Sequence, residues 1–430
     1  MAKRLALLLV ALGVLGAGLL LRQPDAPPAG LAALDDGDAI FWLSQGGASD
    51  RFITCAVYFH FDRPLAQEGL EARLKALVEP YALFKRNVVE QGPRAFWQSR
   101  PAELSSYLKV LAAGEDLEAL RRAAEAEFSR GAVLGSGAPL FRAFLANEGK
   151  TLLFLWHHVL SDFEGMYNKQ AAHLFDASPP RTRFGYQLGA LASTPAEIGR
   201  PVALRYLFDR PVGVKAAGFG VEKLVLPWDQ DRLADRAAQA GLGMSDVFSL
   251  MALRALALYY QDRPESTWPA LPLVSPLSLR ASASALDEGN NRALKQFEHV
   301  IPPLPMAAMV DAVASLPPAM GSYDRAGAMM KQARVVPGLE GLLRRVGMPE
   351  FISNYFPLAD DVLHLGPARL TDYAIRVPMM PFEEAKFAWS NYNGEVALFL
   401  HTDPKRVVPA ELAQAARQAV GEVLAELDAP

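Results

Sequence analysis

The stretch TLLFLWHHVLSDFEG, residues 151–165, decides how the rest of this 430-residue chain is read. Thr151 to Trp156 is strongly apolar and of strand length, and two histidines and an aspartate follow it directly. Successive strand side chains point to opposite faces of a sheet, so His157 and His158 do not face the same cavity. One imidazole is expected to work and the other to pack. A neutral imidazole titrates near physiological pH and can take a proton from an alcohol or amine as that group attacks a carbonyl, worth about a hundred- to ten-thousand-fold in rate. Asp162 is placed to hold the turn through a hydrogen bond or ion pair without touching substrate. On these residues alone, acyl transfer competes with two plainer readings. The histidines can simply be satisfied core or surface residues, or they can ligate a metal with Asp162, since both residue types bind zinc and iron. Against the metal stand the divergence of adjacent strand residues and the lack of a nearby third ligand cluster, HExxH, paired CxxC or an EF-hand pattern.

Working outward, Leu140 to Leu145 reads as a strand paired with Thr151 to Trp156 across a turn at Asn147, Glu148 and Gly149. Upstream, the pattern predicts a strand over Phe52 to Phe61 and an amphipathic helix over Leu65 to Val78, with a solvated helix over Glu115 to Ser129. Ala177 to Gly220 carries five prolines and no sustained periodicity, which marks a crossover between two halves. Beyond it come a strand at Val221 to Leu226 and a helix at Ser245 to Tyr260, with Ser245 as N-cap and Asp246 in the first turn. Strands follow at Leu271 to Leu279, Phe297 to Ile301, Asp372 to Val377, Phe387 to Tyr392 and Val396 to Thr402. Asn393-Gly394 is a strong two-residue hairpin signal between the last two. Ala410 to Leu427 closes the chain as an amphipathic helix.

Lys and Arg number 43 against 47 Asp and Glu, a formal charge of −4, with no long basic run; nucleic acid is not an expected partner. The one cysteine, Cys55, lies in an apolar stretch, which excludes an internal disulfide and suggests a buried, inert thiol. No phosphate-cradling GxxxxGK[ST] loop, complete GxGxxG or GxSxG is present, and Gly135-Gly137 and Gly218-Gly220 read as turns. Residues 5–21 are uncharged, with Lys3 and Arg4 before them and Arg22 after, near the lower length limit of a membrane-spanning helix. With a poor cleavage site behind it, this segment is expected to stay as a single-pass anchor (1–22), the alternative being a signal peptide. The basic residues ahead of it favour a cytoplasmic amino terminus and a globular part beyond the membrane. Residues 23–33 would then be a linker.

Six landmarks occur in order: HHVLSD at 157–162, GMSDVFSLMALRALALYY at 243–260, SPLSLR at 275–280, GNN at 289–291, ISN at 352–354 and NYNGEVAL at 391–398. With these the chain resembles the wax ester synthase/diacylglycerol acyltransferase group of the condensation-domain and chloramphenicol-acetyltransferase-like superfamily, from about Leu34 to the carboxyl terminus. The resemblance implies an α/β fold of the α+β sandwich type. Two chloramphenicol-acetyltransferase-like halves, 34–176 and 221–430, would flank a tunnel that leads to the HHxxxD motif. It implies that His158 is the general base beside His157, and that Asp162 is structural and ion-paired with Arg280. It further implies an acyl-CoA or acyl carrier protein donor, an alcohol or amine acceptor, and neither metal nor bound cofactor. The chain departs from the motif at Phe163, where the family has glycine, and it lacks the Asp-Phe-Gly-Trp-Gly signature of the plant acyltransferases.

The expected topology sets a conflict, because acyl-CoA and acyl carrier proteins are cytoplasmic while the anchor places the domain outside. Three resolutions stand open: the globular part lies in the cytoplasm after all, the donor is a lipid ester handled by transesterification, or the chain belongs to a different class of function, a membrane-tethered protein of the same fold that binds an acyl chain or a partner without reacting. A hydrolase, in which water replaces the alcohol, is a third reading. The sequence leaves the oligomeric state open.

Overall fold

The computed structural model describes residues 27–43, 54–92, 94–100, 106–111, 122–124, 126, 139–176, 220–263, 271–278, 292–299, 305–315, 321–322, 351–379 and 383–429. The elements before the crossover are β1 (Leu31–Ala33), α1 (Asp36–Leu43), β2 (Thr54–Phe61), α2 (Gln67–Val78), a 3-10 turn (Ala82–Lys85), β3 (Arg86–Gln91), β4 (Arg94–Ser99), β5 (Leu108–Val110), β6 (Phe141–Ala146), β7 (Thr151–His157) and α3 (Phe163–His173). After it come β8 (Gly220–Val225), α4 (Gln230–Gln239), α5 (Met244–Tyr260), β9 (Leu271–Ser278), β10 (Arg292–His299), α6 (Met306–Ser315) and β11 (Gly321–Ser322). The chain ends through β12 (Phe351–Ala359), β13 (His364–Leu365), β14 (Ala368–Arg376), β15 (Ala385–Tyr392), β16 (Glu395–Thr402) and α7 (Pro409–Asp428).

These strands form a six-stranded sheet in the order β13-β14-β2-β7-β6-β5, a seven-stranded sheet β11-β10-β9-β12-β15-β16-β8 and a small sheet β1-β4-β3. Pairing is mostly antiparallel; β12 runs parallel to β9 and β15, and β5 to β6. Both hairpins expected from turn chemistry form. Asn147, Glu148 and Gly149 take positive φ (52°, 53° and 85°) between β6 and β7, and Asn393 and Gly394 (50° and 80°) join β15 to β16. Two positive φ values in succession give the primed turn that matches strand twist, and Asn and Gly reach that region at least cost.

Burial alternates along the central strands as the pleat requires. In β15, Ala385, Phe387 and Trp389 face one core while Ala388 and Tyr392 face the other. In β16, Val396, Leu398 and Leu400 oppose Ala397 and Phe399 in the same way. The seven-stranded sheet is therefore buried on both faces: α5 and α7 cover one, and the first half of the chain packs on the other. This explains the near-continuous apolar runs of β15 and β16.

Several sequence expectations are revised. The sheets do not follow the division of the chain at the crossover, because β14 pairs with β2, from Leu370 opposite Phe61 to Arg376 opposite Ala56. The second half thus supplies two strands to the first sheet. Leu31 to Ala33, expected as the end of a linker, pair with Phe96 to Gln98 as β1. Helix α5 is capped at Gly243, not Ser245, and Asp246 Oδ2 accepts the Gly243 N–H at 3.4 Å. Ser245 lies within the first turn, and its carbonyl accepts the Ser249 hydroxyl at 2.7 Å. Strand β10 begins at Arg292, earlier than the apolar pattern indicates. The helix expected over 115–129 falls mostly outside the described residues, as do the crossover 177–219 and the segment 1–22. Among the described residues no single helix is long and apolar enough to cross a membrane. The pair α4 and α5 passes only when taken together, with a 91° bend, and α5 is buried in the second core.

Candidate active site

Strand β7 is central in its sheet, paired with β2 on one side and β6 on the other, and it carries the motif to the sheet end. His157 is its last residue, opposite Thr54 and hydrogen-bonded through its backbone N–H to the Leu140 carbonyl at 2.8 Å. A tight turn follows, closed by the Leu160 N–H donating to the His157 carbonyl at 3.0 Å. His157 Nδ1 accepts the Val159 N–H at 3.1 Å, which fixes this ring as the Nε2-protonated tautomer. Burial, reinforced by the neighbouring His158, pushes its pKa down to about 3, so His157 is neutral and serves as an internal cap for the turn. The Trp156 indole reaches forward to the Ser161 carbonyl at 3.1 Å and pins the far side of the same turn.

His158 is the first residue beyond the strand and is only partly buried. The two imidazoles differ in burial, with His157 in the core and His158 at its margin. Asp162 is the N-cap of α3 and its Oδ1 accepts the Gly165 N–H at 2.8 Å, the usual way an aspartate satisfies a free donor of the first helical turn. Its expected partner Arg280 lies outside the described residues.

Helix α3, which the sequence pattern did not reveal, is buried over Phe163 to Ala171 although it carries Glu164, Asn168, Lys169 and Gln170. Phe163, directly after the motif aspartate, points into the core, with its ring 4.7 Å from Phe356 on β12 and 5.6 Å from Trp156. The bulky residue thus ties the motif turn to the second sheet. Lys169 Nζ donates to the Gly165 carbonyl at 3.2 Å and lies 5.2 Å from the Tyr81 ring, and the Tyr81 hydroxyl meets His173 Nε2 at 2.8 Å.

A buried polar layer lies behind the motif. Cys55, opposite Trp156 on β2, is fully buried; burial pushes its thiol pKa up, opposed by the Lys386 charge and assisted by the Asp162 charge. Such a thiol is not a nucleophile. Lys386 is itself buried and pairs with Glu383 at 3.0 Å, while donating to the Pro378 carbonyl. His401 completes the layer: Nε2 accepts the Val377 N–H at 3.1 Å and Nδ1 donates to the Phe399 carbonyl at 2.9 Å. Burial, then the Arg376 charge, holds its pKa down to about 3. Among the described residues no three His, Cys, Asp or Glu side chains cluster closely enough to hold a metal ion.

Sequence reasoning missed the residues contributed by α1. Phe41 stacks on the His158 ring, centroids 3.7 Å apart and planes inclined by 12°, and Trp42 lies against His157 at 5.2 Å. Trp42 is anchored by its indole N–H donating to Glu90 Oε1 at 3.0 Å. The signal in the sequence is the adjacent aromatic pair of DAIFWL, residues 38–43, which has no helical periodicity of its own.

Comparison with solved structures places this geometry in a known fold. A double mutant of the starter condensation domain of rhizomide synthetase RzmA, in complex with C8-CoA and Leu-SNAC, superimposes with a TM-score of 0.61 at 15% identity, covering 93% of this chain and 95% of that one. The first condensation domain of the calcium-dependent antibiotic synthetase gives 0.61 at 16% identity over 94% and 98%. The chain has the condensation-domain fold. The wax ester synthase/diacylglycerol acyltransferase from Marinobacter aquaeolei VT8 shares it, at a TM-score of 0.53 and 14% identity over 93% of this chain and 100% of that one. No family profile matches the sequence, and no curated protein matches it. At such low identity the likeness is one of fold.

Proposed function

We propose that this protein is an acyltransferase of the HHxxxD type that moves an acyl group from a thioester to an alcohol or amine. The observation that carries the reading is the division of labour at the end of β7: His157 is buried, neutral and committed to the Val159 N–H, while His158 emerges at the margin of the core. His158 is the general base. One of its ring nitrogens takes the acceptor proton as the acceptor oxygen attacks the thioester carbonyl; the thiolate then leaves and the proton passes to it, giving ester and thiol. This chemistry asks for no cofactor, since the donor, acyl-CoA or an acyl carrier protein, brings its own leaving group. Asp162 acts through geometry by capping α3, and Arg280 is its proposed ion-pair partner, a bidentate match that would balance the buried carboxylate. Substrates reach His158 through a passage between the halves, donor from one mouth and acceptor from the other.

Residues 1–22 are proposed to anchor the protein in a membrane; with the domain on the cytoplasmic side the donor is the thioester, and with the domain beyond the membrane the donor is a lipid ester handled by transesterification. The experiment is direct. Purified protein is incubated with acyl-CoA donors and either a long-chain alcohol or an amine, and the products are read by mass spectrometry. Ester or amide appearing with free CoA supports the reading. Saturable acyl-CoA binding with no product from any acceptor, and free CoA no faster than in buffer, would favour the tethered binding protein instead, a reading that Phe163 in place of the motif glycine keeps in view.

A further inference from the structure

The motif alone does not complete the environment of His158. Helix α1 arrives from before β2 and lays two consecutive aromatic residues over the two consecutive histidines, Phe41 on His158 and Trp42 against His157. The helix is held where it is: Leu34, Ala39 and Trp42 belong to the first core, Ala39 N–H donates to the Asp35 carbonyl at 2.8 Å, and Trp42 is tied to Glu90 on β3. Phe41 is itself 3% exposed, so its ring does not move freely away from the imidazole.

We propose that Phe41 is a positioning residue for His158, fixing the plane of the imidazole and stabilising the imidazolium that forms when the base takes a proton. This rests on the acyl-transfer reading above. At a 3.7 Å centroid separation and 12° inclination the two rings are in face-to-face van der Waals contact. Rotating the imidazole out of that plane drives its edge into the phenyl ring, so the ring nitrogens stay directed in plane and substrate meets them at the edge of the ring. The phenyl face is also the negative end of the ring quadrupole. It attracts a cation held above it, so its stabilisation grows as positive charge develops on the imidazole in the transition state. An interaction that strengthens in the transition state raises kcat and leaves KM nearly untouched. The partial burial of the pair places the effect at roughly five- to thirty-fold in kcat.

The test compares wild-type protein with two variants. Phe41→Leu keeps an apolar side chain of similar bulk but removes the π face, and replacement of Phe41 by pentafluorophenylalanine keeps the ring while reversing its quadrupole. The expected result is a roughly five- to thirty-fold fall in kcat for both, with KM within about twofold and an unchanged melting temperature for the fluorinated protein. A residue that only filled space would leave the fluorinated enzyme at wild-type kcat, and that result would overturn the proposal. An independent signature needs no turnover: the carbon-bound ring protons of His158 are shifted upfield in the NMR spectrum by the phenyl ring current, and they lose that shift in Phe41→Leu. Wild-type kcat in both variants, with the ring shift present in the native protein, would remove the role of Phe41 alone. No turnover by the wild-type protein, with the same ring shift, would overturn the acyl-transfer reading and with it the catalytic role of the stack.

Discussion

Acidification from pH 7 to pH 5 is expected to destabilise this protein by about 4 kcal/mol, before its carboxylates begin to titrate. Two histidines, His157 and His401, are fully buried and neutral, with pKa values held down to about 3 chiefly by burial. In the unfolded chain each titrates near its ordinary value of about 6.5. Below that pH the unfolded state binds a proton that the folded state refuses, so the stability present above pH 6.5 is lost as pH falls, until the folded groups protonate near 3. Each histidine contributes a slope of about 1.4 kcal/mol per pH unit, so the shift from pH 7 to pH 5 removes roughly 2 kcal/mol for each. His173, lowered by burial to a smaller extent, acts with the same sign. Urea unfolding at half-unit steps between pH 7.5 and pH 5 measures the slope directly. His401→Gln supplies an acceptor for the Val377 N–H and a donor for the Phe399 carbonyl without a titrating ring, and should cut the slope by about half. A flat profile down to pH 5, or a slope unchanged by that substitution, would refute the assignment of two buried neutral imidazoles.

Two further outcomes follow from the proposed roles. Asp162→Ala and Arg280→Ala should each lower stability and activity, and in a double-mutant cycle they should couple by about 1–3 kcal/mol, whereas strictly additive losses would mean that the two side chains do not interact. The Asp162 variant additionally loses its N-cap bond to Gly165, worth about 0.5–2 kcal/mol. Residues 1–22 should remain on the mature chain, and a reporter active only outside the cytoplasm should be active when fused after Pro430; a silent reporter would place the domain where acyl-CoA is available.

The parts of the fold legible in the sequence are those set by local chemistry. Alternating apolar residues and the turn formers at 147–149 and 393–394 marked the β6-β7 and β15-β16 hairpins, and the amphipathic patterns marked α2 and α7. What stayed hidden was decided at long range. β14 pairs with β2 across most of the chain, and no local feature of either strand announces it. Helix α1 is short and apolar at one end, and its conformation is held by packing of Trp42 and Ala39 against the first core. Helix α3 reads as polar, with a Gly at its third position, yet it is buried by what surrounds it. At the site, HHVLSD identified the turn and the unequal burial of its two imidazoles, while the cover from Phe41 and the buried layer of Lys386, Glu383 and His401 depended on elements brought together by folding.

The central claim, that His158 is the base and His157 its internal support, is tested most directly by steady-state acyl transfer with His158→Ala and His157→Ala beside the wild-type protein. Thiol release and ester formation are followed together with one acyl-CoA and one alcohol. His158→Ala should leave the fold intact and lose about a hundred- to ten-thousand-fold in kcat. His157→Ala should unfold more readily, by about 1–3 kcal/mol for the stranded Val159 N–H and the space left behind. Turnover by His158→Ala within a few-fold of wild type would contradict the account.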